Sequence, residues 1–218
     1  MDWYTWQLVD SLYPTGGFAH SLGLESAVQE KIVTNSSTLR QFVVASLHQT
    51  ANLLLPILYE AHANPTAANF LRLDALTHAM LTNHVAARAS IAQGTAMLRV
   101  ASTTAAASSV LQDIKRNKVH GHHVVVFGIM CGSLGIDALA TQRLLLFFTL
   151  RDTLSAATRL NVIGPLESAK LQTQLAPLAE KILQEKKDRP VEDAYQSAPF
   201  LDLVQARHDM LYTRIFNS

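Results

Sequence analysis

Residues 119–135, VHGHHVVVFGIMCGSLG, decide how the rest of the chain is read. On local pattern VVVF passes for a buried strand, because a short apolar run cannot by itself distinguish strand from helix. A single strand has nothing to pair with, however, and apolar residues elsewhere recur at helical spacing. The segment is therefore read as a buried helix and the chain as all-α. The longest apolar stretch of the chain, Val124 to Ile136, overlaps it, holds three glycines and falls short of the ~20 residues that cross a bilayer.

Outward from this segment the helical period continues in both directions. On the N-terminal side, Trp3 to Leu12 reads as a short apolar element closed by Pro14 and Gly16-Gly17, and a helix is expected from about His20 to Glu30. Ser36 or Ser37 is expected to cap the next helix, which carries Phe42, Leu47, Leu54, Leu55 and Leu58 and is kinked at Pro56. Asn64-Pro65 is read as a cap and first helical position, followed by a face of Phe70, Leu73, Leu76, Met80 and Leu81. Val85, Ile91, Met97 and Leu98 mark another helix, and the small and polar residues of 101–118 predict a pause. Beyond the opening segment, Asp137 should cap a long helix to about Val162, stopped by Gly164-Pro165. Leu171, Leu175, Leu178 and Ile182 mark the next one, residues 187–200 read as a linker, and Leu201 to His208 leads a last helix into the tail. The expectation is one helical bundle over residues 1–200, with a C-terminal helix and tail over 201–218.

Of the 218 residues 49% are apolar and only 16% charged, below the roughly 25% usual in soluble domains. So little charge leaves apolar or neutral surface that suits a partner. A net charge of +1 supplies no basic field for nucleic acid. The single cysteine, Cys131, excludes an intrachain disulfide framework, and the opening residues MDWYTWQLVD lack the basic stretch of a secretory signal. A soluble, cytoplasmic protein is expected, with no membrane segment.

Three constellations invite a chemical reading. TGGFAHS (15–21) resembles a phosphate-binding turn, but it lacks the Lys and Ser/Thr of a Walker A loop and reads more simply as a tight turn. His120, His122 and His123 are the metal candidates: His120 and His123, three apart, share a face if the helix has begun, yet no nearby acidic or cysteine ligand completes a shell. Glu25, Asp74, Glu167 and Asp202 are scattered and Cys131 sits in an apolar run, so no active site emerges. The tail RHDMLYTRIFNS (207–218) is different, since Arg and Tyr dominate protein–protein hot spots. At helical spacing Met210, Leu211 and Ile215 would face one way. A terminal helix merely docked on its own core is an equal alternative on composition alone.

Four words in order carry a family resemblance: LYPTGGFAHSLGLE (12–25), HVAARASIAQGTAMLR (84–99), HHVVVFG (122–128) with RLNVIGPL (159–166), and PFLDLVQARHDMLYTRIFNS (199–218). Together they resemble the urease accessory protein F (UreF) family over nearly the whole chain. Leu22 stands where glutamine or phenylalanine is common, Thr213 where serine is commoner, and NVIGPLES where many bacterial members carry a PLGQ word. The last departure resembles the eukaryotic, plant- or alga-like branch.

The resemblance implies an all-helical, non-enzymatic chaperone of urease maturation. Such a protein forms homodimers, binds accessory protein D (H in some bacteria), recruits and modulates the GTPase accessory protein G, and through that complex serves the urease apoprotein. It also implies Ni²⁺ in transit rather than a tightly bound cofactor, and a tail that becomes ordered on protein D/H. By the same resemblance Glu25, Arg159 and His208 belong to the GTPase surface or nickel route, while Tyr212, Arg214 and Phe216 lie in the partner-binding tail. Nine histidines without a complete ligand set suit a metal handed on rather than stored. The rival reading is a nucleotide- or metal-dependent regulator or enzyme built on TGGFAHS and the His120–His123 cluster.

Overall fold

The computed structural model describes residues 3–101 and 119–218. All regular structure among them is helical. The pause expected within 101–118 therefore lies almost wholly outside the described residues.

The opening segment forms α7 (His123–Ser133), and every side chain from Val124 to Cys131 is buried. It is the central helix, packed most closely against α4 (Leu55–Ala63) and α6 (His84–Ala101). Glycines make this approach possible: a Cβ on Gly128 would overlap Ala61 and the Leu58 carbonyl, and one on Gly132 would strike the His62 carbonyl. The glycines that interrupt the apolar run are thus the contact face of a buried helix. Cys131 lies in this core, and burial pushes its thiol up to about 12.

Several boundaries differ from the sequence reading, each for a local reason. The N-terminal element is α1 (Trp3–Val9), and the helix expected from His20 begins only at α2 (Leu24–Gln29). Leu22 and Gly23 both take left-handed backbone angles, φ 55° and 85°, which interrupt the helix before Leu24. Asn35, not Ser36 or Ser37, caps α3 (Ser36–Gln49): its side-chain oxygen accepts from the N–H groups of Ser37 and Thr38 at 3.0 and 3.1 Å. Thr66 caps α5 (Ala67–Met80), leaving Asn64 to end the helix before it.

At Pro56 a π-helical turn, Thr50–Leu54, joins α3 to α4. Proline has no N–H to return to the preceding turn. Two carbonyls of the wide turn find partners elsewhere: Ala51 accepts from the Arg189 guanidinium at 2.7 Å and Asn52 from the Tyr195 N–H at 3.1 Å. Residues 187–198 are consequently laid down across the π turn, with Val191 buried, rather than left as a free linker. The continuous helix 36–63 is long and apolar enough by composition to cross a bilayer, which the apolar-run criterion missed; two-thirds of that apolar window is buried inside the bundle.

Asp137 caps α8 (Ala138–Arg159) as expected, accepting the Ala140 N–H at 2.9 Å. The stop is set by Asn161 at φ 56°, with the Val162 N–H returning to the Ala157 carbonyl at 3.0 Å. Gly164-Pro165 instead starts α9 (Pro165–Lys186), with Pro165 in its first turn. The chain closes with α10 (Pro199–Ala206) and a 3₁₀ turn, Arg207–Met210. Beyond Met210 it leaves the helix, so Met210, Leu211 and Ile215 do not form the helical face that their spacing suggested.

Candidate functional site

The turn 15–25 and the tail 207–218, far apart in sequence, meet in the fold. Gly16 at φ 73° turns the chain into a single 3₁₀ turn, Gly17–Ala19, whose end faces the last residues. Asn217 donates its N–H to the Ala19 carbonyl at 2.8 Å, and Ser21 donates both N–H and hydroxyl to the Ser218 carbonyl at 2.6 and 3.0 Å. His20 Nδ1 lies 2.7 Å from the Ser218 hydroxyl. The N–H groups of Ala19, His20 and Ser21 are thereby all engaged within the protein, leaving none of the three to cradle a phosphate.

Glu25 holds the tail. It sits in the first turn of α2, 1% exposed, where a carboxylate also complements the helix dipole. Oε1 accepts the Ile215 N–H at 2.6 Å, Oε2 the Phe216 N–H at 3.1 Å, and His208 Nε2, fully buried, lies 3.2 Å from Oε2. With Nε2–H donating to the carboxylate, His208 Nδ1 is left buried without a hydrogen-bond partner among the described residues. Arg159, in the last turn of α8, donates to the Phe18 carbonyl and stacks its guanidinium 4.2 Å from the centre of the buried Phe216 ring. Gln29 adds a bond to the Thr213 carbonyl at 2.8 Å, and Arg207 pairs with Glu30 at 2.8 Å.

Glu25, Arg159, His208 and Phe216 therefore converge on one clasp. Tyr212 and Arg214 do not join it: Tyr212 is 100% exposed, and Arg214 lies at the surface 3.5 Å from Asp209. Asp209 is gripped by the Arg88 guanidinium at 2.7 and 3.0 Å and approached by His84 at 3.2 Å, and chiefly the Arg88 hydrogen bonds hold its carboxyl down at about 2.

The histidine group is arranged differently from a chelate. α7 begins at His123, His122 precedes it, and Gly121 at φ 77° turns the chain away, so His120 and His123 share no helical face. Asp74 of α5 accepts the N–H groups of His120, Gly121 and His122 at 2.8–3.1 Å and fixes the loop. One turn along α5, His78 stacks on His120 at 3.6 Å and places Nδ1 3.2 Å from His122 Nε2. Ser90 of α6 meets His122 Nδ1 at 3.1 Å and the His123 N–H at 3.2 Å. Burial pushes His122 and His123 down to about 4, so both rings are neutral near pH 7. No group of three His, Cys, Asp or Glu side chains among the described residues is placed to hold a metal ion. Sequence reasoning missed His78 and Ser90 as partners; the i, i+4 pair Asp74 and His78 was the available signal.

All four sequence words are thus physically joined. The word 84–99 touches the tail through Arg88 and the loop before α7 through Ser90, while Gly94 gives that loop room, since a Cβ there would overlap the Gly121 carbonyl.

Known proteins resemble this chain over most of its length. The UreF family model matches residues 33–176. Urease accessory protein F of Oryza sativa subsp. japonica is 48% identical, over 98% of this chain and 84% of its own length. Its Arabidopsis thaliana counterpart is 42% identical, over 100% and 93%. UreF of Bacillus sp. (strain TB-90) is 26% identical over 97% of this chain and 96% of its own. With the family model matched over residues 33–176 and plant relatives 42–48% identical over 98–100% of its residues, the chain belongs to the UreF family of urease accessory proteins.

Proposed function

We propose that the protein is a non-catalytic adaptor in urease maturation, working in the cytoplasm as a homodimer. It bridges accessory protein D/H and the GTPase accessory protein G, modulates that GTPase, and serves the urease apoprotein through the complex, with Ni²⁺ in transit rather than resident. One observation supports this most: the clasp turns a stripe of large apolar side chains outward. Leu201, Val204 and His208 face the protein at i, i+3 and i+7, while Phe200, Leu203 and Met210 form an opposite stripe that is 58%, 68% and 79% exposed. Tyr212 and Ile215, farther along the tail, are also exposed. Large exposed apolar side chains of this kind, on a chain poor in charge, suit protein docking.

The test uses side chains that the fold does not need. Leu203→Asp and Tyr212→Ala should leave the helical circular dichroism unchanged, weaken capture of proteins D/H and G by roughly tenfold or more, and lower urease activation in cells. Undiminished activation with both variants combined overturns the reading, as does GTP hydrolysis by the purified chain alone.

A further inference from the structure

A half-open cavity of about 180 Å³ lies between α3 with its π turn, α6, α8 and α10. Its volume resembles the ~150 Å³ that suffices for a benzene-sized ligand. Leu53, Leu145, Val124 and Phe148 give it mostly apolar walls. Two carboxylates, Asp152 and Asp202, border it, and no lysine or arginine does among the described residues. His123, also on the wall, is neutral near pH 7 because burial holds it at about 4. Asp152 already has a cation, since its Oδ1 accepts from Arg151 at 2.8 Å. Asp202 has none: it borders the cavity with no ion-pair partner among the described residues, one of its oxygens, Oδ2, is closed off from solvent, and burial raises its carboxyl.

An unpaired carboxylate against apolar walls is complementary to one kind of group, an alkyl chain ending in a cation. The wall shields the chain from water, and the ammonium supplies the opposite charge that the Asp202 carboxylate lacks. Asp202 stands between Leu201 and Leu203 on α10, so the cavity borders the same helix that bears the exposed stripe.

We propose that this cavity receives a lysine side chain of a docking protein, with Asp202 pairing the ammonium group. The assignment rests on the reading of α10 as a docking helix. A bulky anchor placed in a pocket beside an apolar stripe is the arrangement that gives an interface its register.

The test has two arms. The first titrates the purified chain with n-butylammonium and with its neutral counterpart n-butanol, followed by amide chemical shifts. Saturable shifts at Thr149, Asp202 and Gln205 are expected with the ammonium only, with affinity at least tenfold weaker in Asp202→Asn. Ala86→Leu, which fills the cavity without changing charge, should abolish them as well. Equal response to butanol, or none to butylammonium, overturns the site. The second arm measures capture of proteins D/H and G by wild type and Asp202→Asn. Tenfold weaker capture supports lysine insertion, whereas unchanged capture overturns it and leaves the adaptor reading standing. If wild type captures neither protein, the adaptor reading and the lysine source both fail, and the butylammonium arm still decides the cavity.

Discussion

Glu25 gathers more of the tail than any other side chain, and its position explains why a buried acid is tolerated. Two backbone N–H groups and one imidazole donate to its two oxygens, so the carboxylate has the donors that burial would otherwise remove. Glu25→Gln keeps the shape but replaces acceptor lone pairs with an NH₂ group that faces backbone donors. Charge-assisted bonds contribute about 1.5–3 kcal/mol each, so the variant should release the tail while α2 stays folded. Amide hydrogen exchange tests this: Ile215 and Phe216 should lose at least tenfold in protection, with Phe127 in α7 unchanged. Equal protection in the variant would mean that Arg159 on Phe216 and the Ser21–Ser218 bonds hold the tail without Glu25. None of this was legible in sequence. Glu25 stood out only through the resemblance, because its partners lie about 190 positions away and no local pattern reports such a pairing.

At the scale of elements, what could be read depended on how local the cause was. Asp137 was legible as a cap because a cap is settled within four residues. In Asn35-Ser36-Ser37 three adjacent residues can each cap, and only the reciprocal bonds between Asn35 and Thr38 choose among them. Gly164-Pro165 reads equally as a stop or a start because Gly and Pro serve at both ends of helices; the stop is already made by left-handed Asn161. The π turn was half legible, since Pro56 announced a disturbance but the groups that satisfy it, Arg189 and Tyr195, come from a segment that composition marked as linker. The junction of α6 with the loop before α7 is another cause that local pattern hides. Gly94 looks like an ordinary helical glycine that costs about 1 kcal/mol relative to alanine. Here the Gly121 carbonyl occupies the space of its missing Cβ, so Gly94→Ala should destabilise rather than stabilise. Overpacking of this sort costs typically 1–3 kcal/mol. Urea unfolding should show a lower midpoint at unchanged slope, the midpoint shift multiplied by the slope giving that amount, and a gain in stability would show that the loop yields freely.

Across the whole molecule, the fold class followed from one decision about VVVF, and the family from four words, yet the coupling of the words needed the fold. The same coupling concentrates neutral histidines in the interior. His20, His122 and His123 are each held at about 4, in every case mainly by burial, against an ordinary value of 6.5. A base whose pKa is depressed on folding takes up its proton when the chain unfolds. Between about pH 6.5 and 4 the unfolded state therefore binds more protons, and stability must fall as pH falls through that window. Asp209 and Glu180, held at about 2 by Arg88 and Arg143, lose their contribution only at lower pH, as the pH drops below their ordinary values of 3.8 and 4.5. The two groups of residues thus act in sequence on acidification, the histidines first. Thermal unfolding at pH 7.5, 6.0 and 5.0 should show Tm steady above pH 7 and lower by roughly 5 °C or more at pH 5.0. His122→Asn, which removes one of the three imidazoles, should flatten that descent even if it lowers Tm at pH 7.5. A Tm that is level from pH 7.5 to 5.0 would mean that the rings protonate inside the fold without cost, and the interior around α7 would then have to admit water.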